Sequence, residues 1–156
     1  MFNIVLYNPQ IPNNTGAIGR VCVNSGAKLH LIKPLGFDID EKAVRRAGLD
    51  YWKTLKPTVW ESWDEFYEAN KDKGNFFFGT TKKDTPYFQA KYKTDDFLVF
   101  GSETQGIPED LLDANESQCI TIPMTKEGRS LNLAIATSVV LYEAIKQNYS
   151  DFQELM

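Results

Sequence analysis

The stretch from Leu98 to Pro108, Leu-Val-Phe-Gly-Ser-Glu-Thr-Gln-Gly-Ile-Pro, leaves the chain few choices. Three apolar residues end on Gly101, and a polar turn of Ser102, Glu103, Thr104 and Gln105 follows. Gly106 permits a tight bend, and Pro108 suits the first position of a new helix. Buried strand, glycine, polar loop and helix start together make a β-to-α connection. The apolar runs Asn75–Gly79 and Gln118–Ile122 end in similar ways, at Gly79-Thr80 and at Pro123. Such strands alternating with helical stretches predict an α/β fold with a mostly parallel, doubly wound sheet. In that architecture a ligand takes the crevice beyond the carboxyl ends of the strands.

Phe2–Tyr7 is predicted as the first strand. Residues 8–14 are predicted as a loop, because two prolines and three asparagines suit neither helix nor strand. Asn14 or Thr15 would cap the following helix, on which Ile18, Val21, Cys22 and Ser25 share a face while Arg20 and Asn24 point elsewhere, with Gly26 as its C-cap. Lys28–Ile32 and Thr58–Trp60 read as strands. Asp38 with Glu41, and Ser62 with Glu65, have the spacing of capping boxes, the second opening a helix with Trp63, Phe66 and Tyr67 on one side. From Ser130, a predicted cap, the pattern is helical and apolar almost all round as far as Tyr142. A helix of that kind must be buried on more than one side. A subunit interface would do this, so a homodimer is expected, with a central helix in a monomer as the alternative.

The 156 residues suffice for one domain spanning 1–156. A content of 42% hydrophobic and 24% charged residues is that of a soluble globular protein. No apolar run is long enough to cross a membrane. Met1–Tyr7 reads as a strand and not as a signal peptide, which makes the cytoplasm the expected compartment. Cys22 and Cys119 lie far apart among apolar residues and are expected to be small buried side chains. The single histidine, His30, has no ligand partner at suitable spacing. It is expected to be a packed strand residue, and no metal site is expected.

The net charge of −4 counts against a nucleic-acid binder, although a local patch on an acidic protein can still hold phosphates. Lys42, Arg45, Arg46, Lys53 and Lys56, with Tyr51 and Trp52 among them, form the best basic cluster. A solvated helix face over core aromatics explains it most simply. Phosphates and stacked bases are the other reading.

Strand ends at Gly79-Thr80, Gly101-Ser102-Glu103 and Ile122-Pro123-Met124 would line one sheet edge. Their backbone groups would wall an apolar slot suited to an adenine or a nucleoside. The chain lacks Gly-x-x-x-x-Gly-Lys-Ser/Thr, lacks Gly-x-Gly-x-x-Gly after its first strand, and lacks Gly-x-Ser-x-Gly. These absences count against a triphosphate, a dinucleotide and a nucleophile elbow respectively.

Three segments together resemble the motifs of the SPOUT RNA 2′-O-ribose methyltransferases. They are Asn8–Arg20 with Pro12-Asn13-Asn14-Thr15-Gly16 inside it, Leu98–Pro108, and Ile122–Asn132 running into Arg129-Ser130-Leu131-Asn132-Leu133. The short length and the Arg-Arg-Ala-Gly-Leu-Asp-Tyr run from Arg45 to Tyr51 are most similar to the TrmL branch, the tRNA (cytidine/uridine-2′-O)-methyltransferases of the wobble nucleotide of leucine tRNAs. Ala17 and Ser102 depart from that branch's pattern. The resemblance implies a C-terminal deep trefoil knot, a homodimer, and S-adenosyl-L-methionine as cofactor. It implies cofactor contacts at Gly79, Thr80, Gly101, Ile122, Met124 and Ser130. It implies catalytic roles for Arg20, Glu103 and Asn132, and tRNA contacts at Asn14, Arg45, Arg46 and Arg129. Guanidinium stays protonated, so Arg20 suits stabilisation of a developing alkoxide or a phosphate anchor better than proton abstraction. The residues also leave room for a non-catalytic RNA-binding module, a 2′-O-methyltransferase of another tRNA or rRNA position, and a small-nucleotide-binding regulator of flavodoxin-like type. The full polar set of Asn14, Arg20, Glu103, Ser130 and Asn132 favours the enzyme.

Overall fold

A computed structural model of the chain describes residues 1–40, 42, 46 and 51–156. Six strands form one sheet: β1 (Asn3–Tyr7), β2 (Lys28–Ile32), β3 (Thr58–Trp60), β4 (Phe76–Gly79), β5 (Phe97–Phe100) and β6 (Cys119–Ile120). Their order is β3-β2-β1-β5-β4-β6, and every pairing is parallel. All six carboxyl ends therefore lie along one edge. The helices are α1 (Pro12–Ser25), α2 (Trp52–Leu55), α3 (Trp63–Asn70), α4 (Glu109–Ala114), α5 (Leu133–Gln147) and α6 (Tyr149–Gln153).

Alternation along the strands divides the core in two. Ile4, Leu6, Leu29, Leu31, Leu98 and Phe100 face Ile18 and Cys22 of α1 and Val140, Leu141 and Ala144 of α5. Val5, Phe76, Phe78, Phe97 and Val99 face Phe66 of α3 and Leu112 of α4. Each fully buried side chain of this size contributes roughly 1.5–3 kcal/mol. Helices cover both faces of the sheet, as the doubly wound reading requires. On the second face the Phe76 and Phe97 rings stack at 4.5 Å. His30 is buried there too, as the strand pattern leads one to expect. Trp60 Nε1 donates to its Nδ1 at 3.1 Å, so the ring proton sits on Nε2, which donates to Asn3 Oδ1 at 3.1 Å. Cys22 and Cys119 are both buried and free.

Several boundaries differ from expectation: Pro108, expected as the first residue of a helix, is the N-cap of α4, β1 begins at Asn3, and three further differences bear on the site. Residues 12–14, expected in a loop, are the first turn of α1, so neither Asn14 nor Thr15 is its cap. Proline is well suited to the first helical position, and Ile11 at the N-cap has no side-chain bond of its own. Asn132, not Ser130, caps α5: its Oδ1 accepts from Ala134 N at 2.8 Å and Ile135 N at 3.3 Å. Strand β6 stops at Ile120, because Thr121 N turns away to donate to Thr85 O at 2.8 Å. The second capping box does form, with Ser62 Oγ accepting from Glu65 N at 3.1 Å. Glu41 lies outside the described residues.

Candidate active site

The loops after β4, β5 and β6 meet the start of α5 around a cavity of about 520 Å³. Gly79, Thr80, Gly101, Ile122, Met124 and Ser130, the six residues expected to hold a cofactor, all line it. So do Asn14, Glu103 and Asn132. Phe100, Ile107, Leu133 and Val140 supply apolar wall, and Lys82, Thr104 and Gln105 stand at its polar side.

The Gly101 loop owes its shape to backbone contact. Gly106 N donates to Ser102 O at 3.0 Å, and Gln105 N donates to Ser102 Oγ at 3.0 Å. Gly106 has φ +68, in the left-handed region that glycine tolerates. The returning chain passes so close to Gly101 that a Cβ there would lie 2.1 Å from the Gly106 carbonyl carbon and 2.3 Å from Ile107 N. No side chain fits, and the loop's backbone groups stay open to the cavity.

A polar chain joins the three motif segments at the rim. Glu103 Oε1 accepts from Gln10 N at 2.9 Å, while Oε2 accepts from Ile11 N at 2.8 Å and Asn14 Nδ2 at 3.1 Å. Asn14 Oδ1 then accepts from Asn132 Nδ2 at 3.0 Å. A carboxylate can only accept, so both amides are oriented by it: Asn14 turns its NH2 to Glu103 and its oxygen to Asn132. Asn132 in turn points its oxygen at the first N–H groups of α5. Glu103 is thus committed to three donors, which suits the holding of a loop better than free proton transfer.

The basic residues are arranged differently. Arg20 is exposed on α1 and is not part of the cavity lining; its guanidinium carbon lies 5.1 Å from the centre of the Tyr51 ring. Arg46 and Arg129 are exposed and also stand away from the lining, whereas Arg45 lies outside the described residues. Lys82 pairs with Glu109 at 3.1 Å, and Lys83 with Asp113 at 3.3 Å and Glu116 at 3.5 Å. The hydrogen bond to Asp113, above all, raises the Lys83 pKa. Among the described residues no group of three or more His, Cys, Asp or Glu is placed to hold a metal ion. None of their helices is long and apolar enough to cross a membrane.

Sequence reasoning did not single out Lys82, Gln105, Leu131 or Leu133 as cavity residues. Gln105, Leu131 and Leu133 lie inside the motif segments and Lys82 in the loop after β4, and that placement was the available signal.

The family model described as SpoU rRNA Methylase family matches residues 1–142. The chain belongs to that family. Among its members, the tRNA (cytidine(34)-2′-O)-methyltransferase of Escherichia coli strain K12 is 48% identical over 149 residues, 94% of each chain. A solved structure described as giving structural insights into the 2-OH methylation of C/U34 on tRNA aligns with TM-score 0.91 and 37% identity, over 96% of this chain and 97% of that one. An AdoMet-bound rRNA methyltransferase from Sinorhizobium meliloti aligns with TM-score 0.80 and 25% identity, over 93% of this chain and 56% of that one. The SpoU family match and these likenesses bear out the family resemblance read from the three motifs.

Proposed function

We propose that this chain is an S-adenosyl-L-methionine-dependent tRNA 2′-O-ribose methyltransferase acting on the wobble cytidine or uridine at position 34, with leucine tRNAs as substrates. The observation that carries this reading is the Glu103–Asn14–Asn132 chain, which brings the three motifs together on the rim of one cavity. The substrate class draws its support from relatives of nearly equal length whose names give that reaction.

The cavity suits the cofactor. Its volume lies within the ~300–1,000 Å³ usual for small-molecule sites. A loop closed too tightly for any Cβ offers backbone N–H and C=O groups to an adenosine, and Ile122 and Met124 supply apolar cover. Gly79, Thr80, Gly101, Ile122, Met124 and Ser130 are the residues assigned to hold it. When bound, S-adenosyl-L-methionine supplies an electrophilic methyl group on its sulfonium.

The protein's own residues then have to orient and exclude. Placing a ribose 2′-oxygen at near-attack distance is mainly proximity and orientation. Glu103, Asn14 and Asn132 fix the rim on which the ribose rests. Arg20, permanently cationic, stabilises the negative charge that develops on the 2′-oxygen as its proton passes to solvent water, or anchors the neighbouring phosphate. Arg20 lies off its own cavity wall, apolar Leu131 is exposed on the cavity rim just before α5, and Ile135 and Tyr142 are exposed on α5. Both features favour a homodimer in which Arg20 of one protomer serves the cavity of the other. Arg45, Arg46 and Arg129 hold tRNA phosphates across the same groove, giving an acidic chain a local basic surface.

We further propose that residues 1–156 act as one domain in the cytoplasm, and that the segment after β6 is threaded as a deep trefoil knot. Thr121 supports the threading. Its neighbour's Ile120 O accepts from Thr80 N at 2.9 Å on one side, while Thr121 itself bonds Thr85 and Tyr87 on the other, so residues 80–87 pass around it. Gln147 and Asn148 at the end of α5 bond Ala90 and Tyr92, just beyond that segment.

The test is to incubate the protein with labelled S-adenosyl-L-methionine and bulk tRNA and to map the methylated ribose. Label at the 2′-oxygen of nucleotide 34 in leucine tRNAs supports the reading. Label at another position, or cofactor binding with no transfer, overturns it. Affinity for tRNA should also fall steeply with added salt, and a flat dependence would speak against phosphate contacts.

A further inference from the structure

Arg20 does not stand alone on α1. Its guanidinium carbon lies 5.1 Å from the centre of the Tyr51 ring. A cation over an aromatic face is held by the ring's quadrupole, and arginine, being planar, also stacks. The backbone that carries the ring is held in place. Tyr51 is the N-cap of α2, whose turn is closed by Leu55 N donating to Tyr51 O at 2.8 Å and Lys56 N donating to Trp52 O at 3.2 Å. That turn rests on α1 at Gly19, the residue before Arg20. A Cβ on Gly19 would lie 3.0 Å from Leu55 Cδ2 and 3.1 Å from Trp52 Cζ3, tighter than ordinary contact. The missing side chain at Gly19 is therefore the seat of α2, and the seat sets the Tyr51 ring against the next side chain along.

We propose that Tyr51 is a positioning residue for methyl transfer: it holds the Arg20 guanidinium in the orientation that serves the reacting ribose or its phosphate. This rests on the role given to Arg20 above. Tyr51 touches neither cofactor nor ribose in this scheme. Its effect is to remove rotamer freedom from a long side chain before the substrate arrives, so that less is lost in reaching the reactive arrangement. The ring face does this work and the hydroxyl does not, so phenylalanine should replace tyrosine.

The experiment measures single-turnover rates with saturating cofactor and tRNA, alongside cofactor affinity by calorimetry and thermal melting. Tyr51→Leu should lower the rate constant about five- to tenfold, as expected for loss of a contact of this class, with cofactor affinity unchanged. Tyr51→Phe should stay within about twofold of the parent, since the ring face remains. In an Arg20→Gln background, followed over hours, Tyr51→Leu should cost nothing further. Equal losses in both backgrounds would mean that Tyr51 merely supports the fold, and would overturn the proposal. A parent-like rate for Tyr51→Leu beside an inactive Arg20→Gln would overturn it while leaving the role of Arg20 intact. Near-parent turnover by Arg20→Gln would remove that role and Tyr51's with it. Should Tyr51→Leu melt below the assay temperature, Tyr51→Gln carries the same comparison.

Discussion

The Asn132 side-chain amide donates to the Asn14 carbonyl oxygen at 3.0 Å, joining residues 118 positions apart in the chain. Through this bond the cap of α5 is coupled to the first turn of α1, and through Asn14 to Glu103 on the loop after β5. Three loops on one rim therefore share a single polar connection.

Asn14→Ala should break both bonds at once. Hydrogen bonds to a charged group contribute about 1.5–3 kcal/mol, reduced here by partial exposure to water. A loss near the lower figure is expected in urea unfolding. Methyl transfer should fall more than stability, because the proposed function gives this rim the task of positioning the ribose. Asn14→Asp should be worse than Ala, since it sets a second carboxylate against Glu103. Parent-like turnover in Asn14→Asp would show that the rim plays no part in the reaction.

Gly101→Ala should be among the most damaging small substitutions. Its methyl group would have to occupy space 2.1 Å from backbone carbon, with no flexible side chain to yield. Opening the loop should cost roughly 3 kcal/mol or more and remove the backbone face of the cavity. Calorimetry with S-adenosyl-L-methionine should detect no binding in any fraction that folds. Gly106→Ala meets no neighbouring atom within 4 Å and suffers only the strain of φ +68, so it should be the milder change.

Stability should decline with acidification between about pH 6.5 and pH 4. Burial, followed by the nearby Lys28 and Lys73 charges, lowers the His30 pKa from 6.5 to about 4. Within that window the unfolded chain takes up a proton that the folded chain refuses, so stability is present above 6.5 and drains away as pH falls towards 4. The full span corresponds to ~3 kcal/mol as an upper figure. Asp96 acts with the opposite sign: desolvation raises its carboxyl, so its contribution is present at low pH and is lost as pH rises through its folded pKa. Urea unfolding of the parent and of His30→Gln at pH 7 and pH 4.5 separates them, the variant having the flatter profile.

Ile135→Lys should separate the proposed homodimer. Ile135 is 55% exposed on α5, where Tyr142 is exposed as well, and its side chain adds nothing to either core cluster. Sedimentation velocity should show a shift to monomer, with methyl transfer lost and the melting temperature of the protomer nearly kept. A monomeric parent would refute the homodimer directly.

Much of this architecture could be read from the sequence because its signals are local. The Leu98–Phe100 run ending on Gly101 states a buried strand and a close approach within a few residues. Gly26, with φ +71, ends α1 where the pattern stopped. The misplaced boundaries all depend on distant partners. Residues 12–14 form a first helical turn whose entry is held by Glu103, about ninety residues away, which accepts from Gln10 N and Ile11 N just ahead of the helix. Asn132 outcompetes Ser130 as a cap because Asn14 turns its amide the right way. Strand β6 is cut short by a bond to Thr85, which no apolar pattern records. Arg20 reads as an active-site residue from its motif, yet its local contact is Tyr51, an aromatic that sequence reasoning assigned to the core behind a solvated helix face.

Because Glu103 sits against the amino-terminal end of α1, the partial positive charge of that helix is already neutralised from within. An incoming nucleic-acid backbone finds no anion-binding helix end there, only a carboxylate that would repel it. In the proposed complex, grip at this end of α1 has to come from side-chain cations, on a chain whose net charge is −4. Binding of that kind is set by ionic strength, so the proposed affinity for tRNA would belong as much to the surrounding salt as to the protein's own surface.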